Sequence, residues 1–261
     1  MNKEINLDEK EFQGGERLYL GETESDEGSI KEHYNRYEFA KKYFKPDFTV
    51  LDAACGTGYG SDFISDSAKK IIGIEISDHA LEWAKNNHQK INIEFKKGDL
   101  NEKLDVSSES VDAIVSFETL EHVENQENML SEFKRVLKPG GLLFISSPDR
   151  EILSEKAGDN NKFHIHELSK KEFIGLLQQY FKIDSLYGQT KFIVLPWYKR
   201  LIKFLMKLDI FKLRRVIVKV FGLKLFIHKN FSPMKATPLE KVDLGSKNDF
   251  YVLVAVCRNI K

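Results

Sequence analysis

Between Val50 and Ser61 the chain reads VLDAACGTGYGS, an apolar run that stops at Asp52 and breaks into glycines at 56, 58 and 60. Glu75 ends the next apolar run, KIIGIE, and Asp99 follows a third, INIEFKKGDL. The fourth, VDAIVSFE, ends at Phe117 and Glu118. In open α/β sheets ligands bind beyond the carboxyl ends of the strands, so these residues share one edge if the runs are strands. A single acid after a strand is as readily a helix cap or a turn residue. Three at one edge, beside a glycine-rich turn, point to a ligand. A dinucleotide wants G-x-G-x-x-G for its pyrophosphate and an acid about twenty residues on for its ribose. Gly56, Gly58 and Gly60 miss that spacing by one, although Glu75 stands where a ribose acid belongs. Charge is the better discriminator. Asp52 repels a pyrophosphate and attracts a nucleoside bearing an ammonium or sulfonium, which describes S-adenosylmethionine.

The elements that must position these residues follow from periodicity. Residues 30–44 (IKEHYNRYEFAKKYF) read as a helix, FTVLDA as a buried strand, and Tyr59 to about Lys69 as a helix. After strand KIIGIE, Ser77 or Asp78 caps a helix through DHALEWAKNNH. A helix around 126–137 stops at KPGG before strand GLLFISS. Strands alternating with helices imply right-handed crossovers and a mostly parallel sheet. Past Pro148 come an amphipathic helix, LSKKEFIGLLQQYF, capped by Ser169, then strand FKIDSLYGQ and a last strand, DFYVLVAVCR.

With those residues in place, the chain resembles class I S-adenosylmethionine-dependent methyltransferases. VLDAACGTGYG is similar to their D-x-G-x-G-x-G loop, with Ala54 in place of the first glycine and Gly56 and Gly58 retained. IGIEIS resembles the second motif, which implies that Glu75 grips the ribose hydroxyls, with Ile76 next to it. KKGDL resembles the third, placing Asp99 on the adenine amino group and Leu100 beside the ring. FETLEHVEN and FKRVLKPGGLLFISSPDR resemble the segments that follow, and the first brings Phe117 into the cofactor set. EHYNRYEFAKKYF resembles the E-H-x-x-R-Y helix of the branch associated with bacterial surface-polysaccharide (O-antigen) biosynthesis. That implies that Arg36 pairs with the methionine carboxylate, with Tyr37 and His33 close by. The alternative is a surface helix with Arg36 solvated. GGERLYLGE resembles the leader that such enzymes fold over the cofactor. The implied fold is Rossmann-like, a mostly parallel seven-stranded sheet with helices on both faces. Residues 1–46 form an extension and cofactor-covering helix, and 47–261 the methyltransferase domain with a basic helical insertion at about 190–247.

Methyl transfer to a hydroxyl requires alignment, exclusion of water and removal of a proton. Candidate bases follow the fourth strand, at Glu118, Glu121 and His122, and the fifth, at His164 and His166 in FHIHEL. Histidine suits the task, with an unperturbed pKa of about 6.5. His122 leads, because E-H pairs occur in the O-methyltransferases that this segment resembles, although any of these histidines could equally be a packed or solvated side chain. Arg150 is placed to hold an anionic acceptor. No metal is expected, since His164-x-His166 alone is too little.

The chain has 40 Lys or Arg, 40 Asp or Glu and 41% hydrophobic residues, as a soluble globular protein would. The balance hides an asymmetry: Lys191 to Lys235 carries twelve Lys or Arg and only one acid, Asp209. No nucleic-acid partner is expected. Residues 196–229 alternate apolar and basic residues at helical spacing, as a lid, a membrane-surface helix or a groove for an acidic glycan would. Cys55 and Cys257 form no ligand pattern and fit a reducing cytoplasm, at most at the inner face of the membrane. The expected activity is methylation of a sugar or sugar-phosphate oxygen in a surface glycan. A quinone or small aromatic O-methyltransferase and a catalytically silent cofactor-binding scaffold are the rivals.

Overall fold

The computed structural model describes residues 27–156, 161, 163–189, 238–246 and 250–261. The chain divides into two compact units, Met1–Thr190 with Ala236–Lys261, and Lys191–Lys235; the second lies outside the described residues. So do GGERLYLGE and the basic segment 196–229.

The described elements alternate as the periodicity predicts: α1 (Glu27–Lys41), β1 (Thr49–Ala53), α2 (Tyr59–Ile64), β2 (Lys70–Glu75), α3 (Asp78–Asn87), β3 (Ile93–Lys97), β4 (Val111–Ser116), α4 (Gln126–Val136) and β5 (Leu137–Pro148). Then come α5 (Lys170–Tyr180), β6 (Lys182–Gln189), β7 (Glu240–Val242) and β8 (Val252–Arg258). Ser77 Oγ accepts from Ala80 N at the start of α3, and Ser169 and Glu172 form a capping box on α5.

The sheet has eight strands in the order β3-β2-β1-β4-β5-β8-β6-β7, with β1 to β5 parallel and β8 antiparallel to β5 and β6. Seven strands are therefore one too few. The eighth, Glu240–Val242, is a three-residue edge strand, too short to show an alternating pattern, and it lies inside the span 190–247 expected as insertion. α4 ends at Val136, ahead of KPGG as expected, but the strand begins earlier than expected and KPGG belongs to β5. The helix ends because Leu137 turns extended, and the Asn259 side-chain amide collects the carbonyls of Lys134, Leu137 and Lys138 at 3.3, 3.0 and 3.2 Å.

Alternating strand residues feed two cores, one on each face. Leu51, Ile72, Ile114 and Leu143 meet Met129 and Phe133 of α4 and Phe173 and Leu177 of α5. Val50, Ile71, Val115 and Phe144 meet Tyr37 and Ala40 of α1 and Tyr59 and Ile64 of α2. The strand order reverses between β1 and β4, where Asp52 pairs in register with Val115, and this switch point opens the crevice for a ligand. Among the described residues no helix is long and apolar enough to cross a membrane.

Candidate functional site

The chain leaves β1 through a tight turn that takes the left-handed region at Ala54 (φ 61°), Gly56 (φ 56°) and Gly58 (φ 81°). Ala54 thus stands where glycine is favoured, and its Cβ makes the turn more costly by about 1–2 kcal/mol. The three glycines do different work. A Cβ on Gly58 would lie 2.7 Å from the Phe95 ring, and one on Gly60 would lie 2.0 Å from the Tyr37 ring. A Cβ on Gly56 would meet nothing within 4 Å, so this backbone alone has room in front of it. Gly56 N donates to Glu75 Oε2 at 3.0 Å and Ser77 N donates to Glu75 Oε1 at 2.9 Å. The Glu75 carboxylate therefore ties the end of β2 to the loop.

Asp52 is buried. Tyr37 Oη donates to its Oδ1 at 3.0 Å and Ser61 Oγ to its Oδ2 at 2.6 Å. Burial outweighs these two bonds and, with the nearby Glu75, lifts the Asp52 pKa to about 6. Arg36, only 1% exposed, lies next to Tyr37 on α1, so the solvated alternative does not hold. Its Nη1 donates to Gln189 Oε1 at 2.6 Å, at the end of β6. Among the described residues no carboxylate pairs with it and its Nε has no hydrogen-bond partner. Such a guanidinium calls for an anion. The Phe117 ring packs edge-on against Tyr37 at 5.0 Å between centroids, and His33 Nδ1 meets Tyr59 Oη at 2.9 Å. On the other side of the crevice Asp99 Oδ1 accepts from Asn101 N at 2.8 Å, Leu100 is buried, and Ile76 is 50% exposed, an apolar surface open to a ring.

A second group stands past β4. The 3-10 turn Leu120–His122 carries Glu121 and His122, and Glu121 O accepts from Ile165 N at 2.9 Å and His166 N at 3.1 Å. His164 is thereby brought to His122, with ring centroids 4.9 Å apart. His122 Nδ1 bonds Phe163 O at 3.1 Å, and His164 Nδ1 bonds the Glu167 carboxylate. A carbonyl and a carboxylate only accept, so Nδ1 is the donor in both imidazoles. Glu121 is buried with Oε2 in no well-formed hydrogen bond among the described residues, and burial together with Glu118 pushes its carboxyl well above the usual range. Glu118 itself has φ 51° and accepts from Ser146 Oγ at 2.7 Å. His166 does not join this group. Its side chain is exposed at the rim of a cavity of about 330 Å³ lined also by Arg150, Asn161, His164 and Glu167. Arg150 already pairs with Glu172 at 3.0 Å and Glu155 at 3.5 Å, so its charge is balanced, contrary to the role expected for it.

Sequence reasoning missed Ser61, Gln189 and Glu167. Ser61 follows the last glycine and could have been suspected as a hydroxyl at the start of α2; Gln189 and Glu167 gave no signal.

A family model described as a methyltransferase domain matches residues 44–192. A Mycolicibacterium smegmatis protein named "probable S-adenosylmethionine-dependent methyltransferase" is 35% identical over 141 residues, 53% of this chain and 54% of its own length. The ubiquinone biosynthesis O-methyltransferase of Coxiella burnetii is 32% identical over 118 residues, 42% of this chain and 50% of its own length. The chain spans about half the length of these curated relatives. Among solved structures, a chain of the Haloferax volcanii complex between the Trm112 methyltransferase activator and a methyltransferase superposes with a TM-score of 0.63 at 17% identity, over 90% of this chain and 93% of that one. At that identity the likeness concerns the fold alone.

Proposed function

The chain belongs to the methyltransferase-domain family, and on that premise we propose that it transfers a methyl group from S-adenosylmethionine to a hydroxyl oxygen of a sugar or sugar phosphate in a bacterial surface glycan. One observation carries the cofactor half of this reading. A buried carboxylate, Asp52, holds Tyr37, the neighbouring Arg36 is a buried guanidinium that pairs with no carboxylate among the described residues, and the backbone of Gly56 in the loop after β1 is open. S-adenosylmethionine has matching chemistry for each: a carboxylate for Arg36 and a cationic end for Asp52. At the end of β2 each oxygen of Glu75 accepts from a backbone N–H, and this carboxylate is the group that meets the ribose diol in this reading. Ile76 and Leu100 supply apolar surface for the adenine, with Asp99 at its amino group. When bound, the cofactor supplies a methyl carbon activated by the adjacent sulfonium.

The acceptor half rests on the group past β4. His122, oriented by the bond of its Nδ1 to Phe163 O, is the group to which an acceptor hydroxyl gives up its proton in this reading. Glu121 and His164 hold that imidazole's surroundings, and His166 faces the acceptor cavity. Arg150, Ser154, Asn161 and Glu167 give this cavity hydrogen-bonding groups that a polyhydroxylated acceptor could use, beside the apolar Ile165. The Coxiella relative favours the rival, a quinone-type ring hydroxyl. The basic and apolar alternation of 196–229 supports peripheral contact with an anionic membrane surface, where lipid-linked saccharides are found.

Titration calorimetry with S-adenosylmethionine tests the cofactor; absence of binding at millimolar ligand would sink the reading. Arg36→Met keeps the buried shape and removes the carboxylate's partner, so affinity should fall about ten- to a hundredfold. Mass shifts in a panel of nucleotide sugars, lipid-linked saccharides and quinols then identify the acceptor. Transfer to quinols alone supports the rival, and binding without transfer to any of them supports a silent scaffold.

A further inference from the structure

We propose that Glu121, His122 and His164 bind one divalent transition-metal cation of the Zn2+ or Mn2+ type, a site that deepens the reading above and rests on it for its catalytic meaning. The chain builds the site in two steps. The 3-10 turn after β4 presents Glu121 and His122 side by side, and the Glu121 carbonyl then anchors Ile165 and His166, so the segment bearing His164 docks on the residue that would be its co-ligand. One ligand-capable atom from each of the three residues lies within 4.8 Å of those of the other two. Ligands at about 2.1 Å around a tetrahedral ion stand about 3.4 Å apart, so closure by about an ångström of side-chain rotation completes the geometry.

Three features separate this group from a chance meeting of titratable side chains. Both imidazoles have Nδ1 held by an acceptor, a backbone carbonyl for His122 and a carboxylate for His164. Metal-bound histidines are oriented in this way by their outer partners. Glu167, the partner of His164, is itself fixed by Ser154 Oγ. Glu121 Oε2 is buried and makes no well-formed hydrogen bond among the described residues, with the Ser147 hydroxyl as its nearby polar neighbour, a cost that a cation would remove. Glu118 adds negative charge near Glu121, and the Arg36 guanidinium partly offsets it. Two imidazoles and one carboxylate suit Zn2+, Mn2+ and Fe2+ better than Mg2+ or Ca2+, which prefer all-oxygen shells.

Three protein ligands leave a coordination position open. A hydroxyl bound there loses affinity for its proton: the O–H bond breaks, the proton passes to water, and the oxygen stays on the ion as the nucleophile. In this loaded form His122 ligates instead of accepting the proton.

The test is Co2+ titration of the full-length, chelator-treated protein, read by visible d–d absorption and by Mn2+ competition. The expected result is saturation at one equivalent, with affinity reduced at least tenfold in His122→Ala and His164→Ala. Glu167→Gln, which leaves all three ligands in place, should weaken binding by about tenfold or more. Circular dichroism of each variant in chelator reports the fold, and Glu121→Gln supplies a near-isosteric ligand change should an alanine variant not fold. Absence of d–d bands in folded protein overturns the site, as do bands that persist unchanged in the variants. Calorimetry with S-adenosylmethionine on the same samples separates the two readings: loss of cofactor binding with Co2+ binding intact sinks methyl transfer and leaves the metal site standing.

Discussion

Asp52 is held in two ways that pull against each other. Tyr37 and Ser61 donate to its oxygens, which favours the charged form, while burial favours the neutral one, and burial wins to give a pKa of about 6. Because this lies above the ordinary carboxylate value, the unfolded chain ionises first as pH rises. The contribution of Asp52 to the stability of the unliganded protein, read as the difference between the wild type and Asp52→Asn, should therefore fall between about pH 4 and pH 6, by on the order of 3 kcal/mol, and level off above. Cofactor affinity should run the other way, because a cationic ligand needs the carboxylate charged. At pH 5 only about one molecule in ten carries that charge in the free state, so Kd should rise about tenfold from its value at pH 7. Asp52→Asn should bind weakly at both pH values and lose the dependence. Calorimetry from pH 5 to 7.5 checks this; a flat wild-type profile would mean that Asp52 does not face the cation.

At the scale of elements, α1 and the glycine loop act as one unit, joined at Gly60 and Tyr37. Tyr37 is pinned between Asp52 and Phe117, so a Cβ 2.0 Å from its ring has nowhere to displace it cheaply. Gly60→Ala should cost about 1–3 kcal/mol by overpacking and weaken cofactor binding by shifting Tyr37 off Asp52. Gly56→Ala meets no neighbour, so its cost is the left-handed backbone, about 1–2 kcal/mol, plus loss of the space before the loop. Urea unfolding in a Tyr37→Leu background separates the two: the Gly60→Ala penalty should shrink there and the Gly56→Ala penalty should not. Equal penalties in both backgrounds would refute the packing account. These details also mark what could be read in the sequence. β1, β2 and their terminal acids were legible because buried parallel strands are unbroken apolar runs and glycine spacing is local. Ala54 was visible as a departure, but its φ of 61° was not, since nothing local dictates that the turn keeps its shape without glycine. Gln189 under Arg36, and His164 against His122, join residues far apart in the chain, and no spacing rule reaches across such distances.

At the scale of the whole molecule, the topology separates the sheet from the long segment before β7. β6 and β7 pair antiparallel, with Gly188 opposite Glu240 and Tyr187 opposite Lys241, so the chain leaves the sheet and returns to it at neighbouring positions. Residues paired in this way stand about 5 Å apart, a gap that a short turn spans. Every residue assigned here to cofactor or cation lies outside Lys191–Lys235. Replacing that segment by a four- or five-residue glycine-containing turn should leave a cooperatively folding unit that binds S-adenosylmethionine within about twofold of the full chain. The charge consequence is large. Removing twelve Lys or Arg and one Asp from a balanced 40 and 40 leaves a strongly acidic remainder, which anionic vesicles repel. Flotation with anionic vesicles should therefore distinguish the two proteins if the segment contacts membrane, with the full chain floating at low salt and the shortened one not. A lid would give the opposite separation: neither protein floats, and the shortened one binds cofactor but turns over less acceptor. Loss of cofactor binding in a shortened protein that still unfolds cooperatively would overturn the division altogether, because it would place part of the cofactor site within the excised segment.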